Sequence, residues 1–276
     1  MAKDDVEGQG LDAPILLAEW EMPLRREASL IERLSEVDQA IVRQHGHEMR
    51  LSTGEPLFRQ GERHDGIVVI EDGQIRSFYV APSGREITLA YWSKGHFVGG
   101  PDVFGGGTHM WAATAMRPSR LMFLPGAGLR QLARQVPDLA IGIIDALVFK
   151  ARCYSAFAQM LGTRSVAQRL VQLLQHLAQT YGVKDERGIL IAAAFTHADL
   201  AALIGATRQW VTVQLGRMQQ EGILTNRRGL MVILKPEALA AQLEHAGERR
   251  PQHVGSQATN CFYIKIIDLI NIWPTD

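Results

Sequence analysis

Arg208, Gln209, Thr212, Val213 and Arg217 recur at spacings that place them along one side of a helix, with Thr207 just before them and Arg227 and Arg228 shortly after. A guanidinium can bond a guanine edge bidentately and a carboxamide can bond adenine, so such a side is equipped to read a DNA major groove. Between Gly205 and Gly229 the charged residues are Arg208, Arg217, Arg227 and Arg228 against Glu221 alone, although the whole chain is formally neutral. Positive charge is therefore gathered where phosphates would lie.

The flanking residues supply the elements that would hold this face. Thr196 offers a hydroxyl to the free N–H groups of a first helix, and Asp199 adds negative charge at its positive end. Gly205 ends that helix. Thr207 caps a second, read as Arg208 to Glu221, in which Val211, Leu215 and Met218 make an inward seam at i, i+4, i+7 before Gly222 stops it. Gln209, Val213 and Gly216 then face outward, flanked by Thr212 and Arg217, with Arg208 at the tip. A helical hairpin in an enzyme core is the plainer reading, but it leaves polar side chains and a glycine opposite so narrow a seam unexplained. Residues 223–234 read as strand, turn, strand, with the turn at Asn226 to Gly229, which makes a wing.

A chain of 276 residues, 46% of them hydrophobic, suits about two domains with proper cores. No apolar run approaches the roughly 20 residues that span a bilayer, and the first residues lack a signal peptide's apolar core. A cytoplasmic protein without a membrane partner is expected. Cys153 and Cys261 are the only cysteines. They are too few for an iron–sulfur site and too far apart for a disulfide framework, so Cys153 reads as a buried structural thiol.

From about Arg50 to Pro125, short segments rich in β-branched and aromatic residues alternate with turn signals. Residues 66–80 read as a hairpin around Asp72-Gly73, Pro82 to Gly84 as a further turn, and Arg85 to Trp92 as the next strand. Strands at Trp111 to Met116 and Arg120 to Leu124 each end near a proline, which favours a sheet edge. The pattern predicts an antiparallel barrel or jelly roll able to enclose a ligand, with no catalytic constellation. A long helix follows from Pro137, a residue suited to a first helical position, to Leu161. Its residues Ile144, Leu147, Ala151, Tyr154, Ala158 and Leu161 alternate by three and four, as a two-stranded coiled-coil seam does, while the turns around Leu139 to Ile143 pack on the barrel. Residues 162–165 interrupt it. Ser165 with Gln168 makes a capping box for a new helix that turns Val166, Leu170, Leu173, Leu174 and Leu177 inward.

The fold class is thus α+β: an N-terminal antiparallel β-barrel or jelly roll, a long dimerisation helix, and a C-terminal winged helix-turn-helix. The expected divisions are an extension over 1–45, a sensing barrel over 46–136, dimer helix and hinge over 137–164, a DNA-binding domain over 165–246, and a tail over 247–276. The extension contains Trp20 and an amphipathic stretch near Leu30 to Val42, expected as a helix on the barrel. The apolar tail from Cys261 to Trp273 is assigned no function.

In this order the chain resembles the Crp/Fnr family of transcription regulators. The resemblance spans roughly residues 45–240 and rests on Gly61-Glu62, Asp72-Gly73-Gln74-Ile75-Arg76, Gly84-Arg85-Glu86-Ile87-Thr88-Leu89, Gly95-His96-Phe97-Val98-Gly99, Arg169, Ile204-Gly205-Ala206-Thr207-Arg208-Gln209-Trp210-Val211 and Glu221-Gly222-Ile223-Leu224. It implies a homodimer whose barrel binds a small-molecule effector, reorients the recognition helices on double-stranded promoter DNA, and recruits or obstructs RNA polymerase. A ligand-binding module without DNA function and an enzyme on this scaffold are the competing classes. The retained arginines oppose the first, and the lack of a Ser/His/Asp or metal-ligand set opposes the second.

The departures from the family narrow the effector. Where cyclic AMP binders carry a ribose-binding Glu and a phosphate-binding Arg-Ser or Arg-Thr pair, this chain reads Gly100 and Met110-Trp111. A buried phosphate without its Arg is costly, so cyclic AMP in the usual pose is disfavoured. Phe97, Gly99, Gly100, Phe104, Met110, Trp111 and Tyr154 are expected to form a pocket for an apolar or aromatic effector instead. The iron–sulfur branch is excluded, because no cysteine precedes Cys153. The haem branch's ligands would fall near Gly99 and Pro101, which leaves His64, His96 and His109 as haem ligands, or more simply as loop-surface residues.

Overall fold

The computed structural model describes residues 29–247, so Trp20, Cys261 and the tail lie outside the described residues. Helix α1 (Glu36–His45) is capped by Ser35 and leads into eight strands: β1 (His47–Leu51), β2 (Pro56–Phe58), β3 (Gly66–Asp72), β4 (Gln74–Val80), β5 (Glu86–Ser93), β6 (Phe97–Val98), β7 (Ala112–Ala115) and β8 (Ser119–Pro125). They form two four-stranded antiparallel sheets, ordered β1-β8-β3-β6 and β2-β7-β4-β5. Gly66 to Ile70 are buried without a break, as a strand covered on both faces must be. Val68 and Ile70 point between the sheets, whereas Ile67 and Val69 point outward against Leu30, Ile31, Leu34 and Val42 and against the helices after β8. The stretch from Leu30 to Val42 does cover the barrel, as a turn followed by α1.

Two local expectations fail. Strands β3 and β4 abut at Asp72-Gly73 but belong to different sheets, so this is a crossing between layers and not a hairpin. Gly73 takes φ 107°, and a Cβ there would lie 2.1 Å from Ser119 Oγ. Close approach of the chain at the layer switch, not hairpin twist, explains this glycine. The true hairpin is β4–β5, paired from Gln74↔Ser93 to Val80↔Glu86 around the turn that contains Gly84. Strands β7 and β8 are not at edges either, since β7 lies between β2 and β4 and β8 between β1 and β3. Their prolines are harmless because Pro118 falls between the strands and Pro125 ends β8.

Helix α2 (Gly126–Gln135), which the sequence pattern did not show, precedes α3 (Pro137–Thr163), which has Pro137 in its first turn. One stripe of α3 packs inward: Leu139, Ile143, Ala146, Lys150, Cys153, Phe157 and Met160, spaced by four and three. The opposite stripe is bare, with Ile141 at 50%, Ile144 at 54% and Val148 at 44% exposure, and Ala151 and Ala158 exposed along it. Ile144, Ala151 and Ala158 thus lie where the seam was expected. Leu147 and Tyr154 do not, for both are half-buried against their own barrel.

The helix ends at the expected interruption. Ser165 Oγ accepts from Gln168 N at 3.3 Å and Gln168 Oε1 accepts from Ser165 N at 2.8 Å, opening α4 (Val166–Tyr181). Then come β9 (Gly182–Asp185), β10 (Gly188–Ile191), α5 (His197–Ile204), α6 (Arg208–Gln220), β11 (Leu224–Arg227), β12 (Leu230–Ile233) and α7 (Pro236–Gly247). The strands make one sheet, ordered β11-β12-β10-β9. Its β9–β10 half carries too short an apolar pattern to have been legible. Leu170, Leu173, Leu174 and Leu177 are buried with α5, α6 and Leu239 in a third cluster, and Tyr91 of β5 enters that cluster from the barrel.

Candidate nucleic-acid interface and sensing core

The helix-turn-helix is held by local bonds that its sequence dictates. Thr196 Oγ1 accepts from Asp199 N at 3.1 Å and the Asp199 carboxylate accepts from Thr196 N at 2.8 Å, a reciprocal cap of α5. Gly205 closes α5 in the left-handed region at φ 66°. Arg169 Nη1 donates to the Ile204 carbonyl at 2.6 Å, so α4 grips the end of α5. Thr207 Oγ1 accepts from Trp210 N at 3.2 Å and starts α6. Caps of this kind are worth about 1 kcal/mol each. Val211, Leu215 and Met218 are buried as the seam requires, and each such side chain stabilises by roughly 1.5–3 kcal/mol.

The opposite side of α6 is open. Thr207, Arg208, Gln209, Thr212 and Arg217 are exposed, and Val213 is 60% exposed. A Cβ on Gly216 would meet nothing within 4 Å. Thr212 is partly spoken for: its hydroxyl donates to the Arg208 carbonyl at 3.0 Å and lies 2.8 Å from His197 Nδ1, which fixes α5 against α6. In the wing, Arg227 pairs with Leu230 across a turn of only Arg228 and Gly229, at φ 53° and 86°. The turn is tighter than the four residues expected and lifts an arginine at its tip. Arg228 is the only non-glycine residue with positive φ among the described residues, a conformation that disfavours a side chain with a Cβ.

The aromatic residues expected to form one pocket fall into three environments. Trp111 and Tyr154 pack on the cluster between the sheets, ring centroids 6.1 Å apart. Phe97 and Phe104 belong to the cluster under the helices, where the Arg130 guanidinium lies 4.2 Å over the Phe104 ring. Met110 is 62% exposed and lines neither cluster. Gly99 and Gly100 are buried beside His64, whose Nε2 accepts from Gly100 N at 2.9 Å. His64 and His109, expected on loop surfaces, are 2% and 8% exposed. Their rings meet edge to face at 4.6 Å, and His109 stacks on Phe58 at 3.6 Å. Burial pushes the His109 imidazole down to about 4 and lowers His64 as well, so both are neutral core residues: His64 is engaged through Nε2, His109 through its ring face on Phe58, and the buried Nδ1 of each has no hydrogen-bond partner. Half-buried His96 bonds the Ser93 carbonyl. No group of three or more metal-ligating side chains exists among the described residues.

Sequence patterning missed Lys150. It lies 7% exposed on the inward stripe of α3, with Nζ 3.3 Å over the Trp92 ring and 4.8 Å from that of Phe97. Burial lowers it to about 7, and the neighbouring Cys153 thiol is itself pushed up to about 11. The four-three spacing from Leu139 through Ile143 and Ala146 carries straight to Lys150, and that was the signal available.

Residues 48–136 match the family model of the cyclic nucleotide-binding domain, and residues 168–242 match that of the Crp-like helix-turn-helix domain. The chain belongs to the Crp/Fnr family of transcription regulators. Relatives in this family include the global nitrogen regulator of Synechococcus elongatus, 25% identical over 68% of this chain and 86% of the relative. The fumarate and nitrate reduction regulatory protein of Salmonella typhimurium is 23% identical over 71% of this chain and 78% of its own. Among solved structures, the c-di-GMP responsive global regulator CLP of Xanthomonas campestris shares the fold at TM-score 0.66 and 21% identity, covering 72% of this chain and 99% of that one.

Within the Crp/Fnr frame, the two matched models coincide with the two-sheet barrel and with the segment from α4 to α7, and α3 joins them. The chain therefore combines an effector-binding type of domain with a DNA-binding one. No helix among the described residues is long and apolar enough to cross a membrane.

Proposed function

We propose that the protein is a homodimer that reads an inverted-repeat promoter site through α6 and the wing, under control of an effector with an aromatic body that is not cyclic AMP. The observation that carries this reading is the bare apolar stripe of α3, which ends at the hinge immediately before the DNA-binding domain. Pairing two such stripes buries them and sets two α6 helices side by side, the arrangement a palindromic site demands. Arg208 and Gln209 then face base edges, while Thr212, Val213 and Arg217 flank the contact and Arg227 and Arg228 meet phosphate. The bound dimer recruits or obstructs RNA polymerase.

The exclusion of cyclic AMP rests on Gly100, on exposed Met110 and on Trp111, none of which offers a cation to a buried phosphate. Calorimetry tests it. No saturable heat is expected with cyclic AMP at submillimolar concentration, and tight binding that restores DNA affinity would falsify the assignment. Footprinting tests the assembly: two protected half-sites centred about one helical turn apart, roughly 34 Å, are expected. A single half-site protected by a monomer would refute it.

A further inference from the structure

Lys150 presents an electrostatic demand that the folded chain does not meet. Its amine sits on the inward stripe of α3 with Trp92 beneath it and Phe97 beside it, and no carboxylate pairs with it among the described residues. Packing alone would be served as well by methionine, which carries no charge to desolvate. One helical turn onward, Tyr154 leans on Trp111, so the same face of α3 continues from the amine into an aromatic surface. A cation in a dry aromatic setting attracts an anion far more strongly than one in water.

We propose that Lys150 anchors the effector's anionic group, and that the effector is a small aromatic acid seated on the between-sheet side of the amine, against Trp92, Trp111 and Tyr154. This rests on the reading of the barrel as an effector site and adds a charged head to the aromatic body. The titratable groups facing Lys150 are Cys153 on its own helix, His96 from the segment between β5 and β6, and Tyr154 one turn away. Burial keeps the thiol and the phenol protonated and His96 neutral between pH 7 and pH 9. An acid bound to the ammonium should therefore hold a proton on Lys150 that the empty site releases over this range.

The test is calorimetry on the full chain with benzoate against benzamide, and with indole-3-acetate against indole-3-acetamide. At pH 7 at least one acid should bind about thirtyfold or more tighter than its amide, and its affinity should fall about tenfold per pH unit between pH 8 and pH 9 while that of the amide stays flat. In Lys150→Met, acid and amide should bind within about threefold of each other at every pH. Equal binding of acid and amide to the wild-type chain, or an acid preference that survives in Lys150→Met, overturns the proposal and leaves the effector site standing. Binding of none of the four compounds, with operator DNA still bound, removes the aromatic effector reading and this proposal together. If Lys150→Met does not fold, the wild-type acid-to-amide ratio decides: a ratio unchanged from pH 7 to pH 9 overturns the proposal.

Discussion

Helices α3 and α6 both bury one stripe and leave another open, yet their open stripes differ in kind. On α6 the outward residues are Arg208, Gln209, Thr212 and Arg217 around a bare Gly216, a surface that keeps its water until a hydrated, charged partner replaces it. On α3 they are Ile141, Ile144, Val148 and Ala151, which water solvates poorly. In the proposed function, one face takes a nucleic acid and the other a second copy of the chain. The inward stripes differ too: that of α6 is wholly apolar, whereas that of α3 contains Lys150. The more specific the partner of a helix face, the more its residue types depart from what folding alone requires.

The sharpest way to break this contrast is to charge the open face of α3. Ile144→Glu with Val148→Glu should leave a folded chain that sediments as a monomer, with operator affinity down by about 10²–10⁴-fold because the second half-site is no longer tethered. A double variant that still sediments as a dimer moves the interface elsewhere. Leu147→Glu should instead destabilise the barrel, because Leu147 packs on its own subunit.

The inward contrast is tested by pH. Lys150 is held at about 7 when folded and at its ordinary 10.5 when unfolded, so between these values the unfolded chain binds more protons and stability rises with pH. Denaturant unfolding should gain about 2 kcal/mol from pH 7 to pH 9 in the wild type and show no such rise in Lys150→Met. Cys153, pushed up to about 11, withdraws stability only above that window.

On α6, Arg208→Ala or Gln209→Ala should cost about 1–3 kcal/mol at the preferred site and relax its sequence preference. Equal loss on every sequence for Gln209→Ala would end its base-reading role. The smallest effects separate folding from binding. Gly216→Ala should stabilise the free protein by about 0.5–1 kcal/mol and still weaken DNA binding if the backbone must approach the groove. Arg228→Gly should relieve the positive φ without loss of stability while lowering the salt slope of binding by about one, and an unchanged slope would remove the wing tip from the phosphate contact.

What the sequence made legible was local chemistry. The caps at Thr196, Thr207 and Ser165 and the seam of α6 are settled by residues within a few positions of each other, and each stands where its side-chain chemistry places it. Asp72-Gly73 defeated the same logic because the sheet that β4 joins is chosen by distant strands. The pocket residues suffered likewise: Phe97 and Trp111 look equivalent as aromatics, but Phe97 on β6 packs beneath the helices while Trp111, just before β7, packs on the cluster between the sheets. Lys150 was hidden by its residue type, since a lysine in a helix is ordinarily read as solvent-facing.

Strand β5 ties the barrel to the DNA-binding domain. Tyr91 and Trp92 are neighbours on it, and alternation sends Tyr91 into the core of the DNA-binding domain and Trp92 into the core of the barrel. Swinging the DNA-binding domain away from its own barrel must expose Tyr91, at a cost of roughly 1.5–3 kcal/mol. An effector that favours the released arrangement by about 10–100-fold offsets that cost. Under the proposed function, burial of this tyrosine ring contributes to how selective a signal must be before the recognition helices are free to turn.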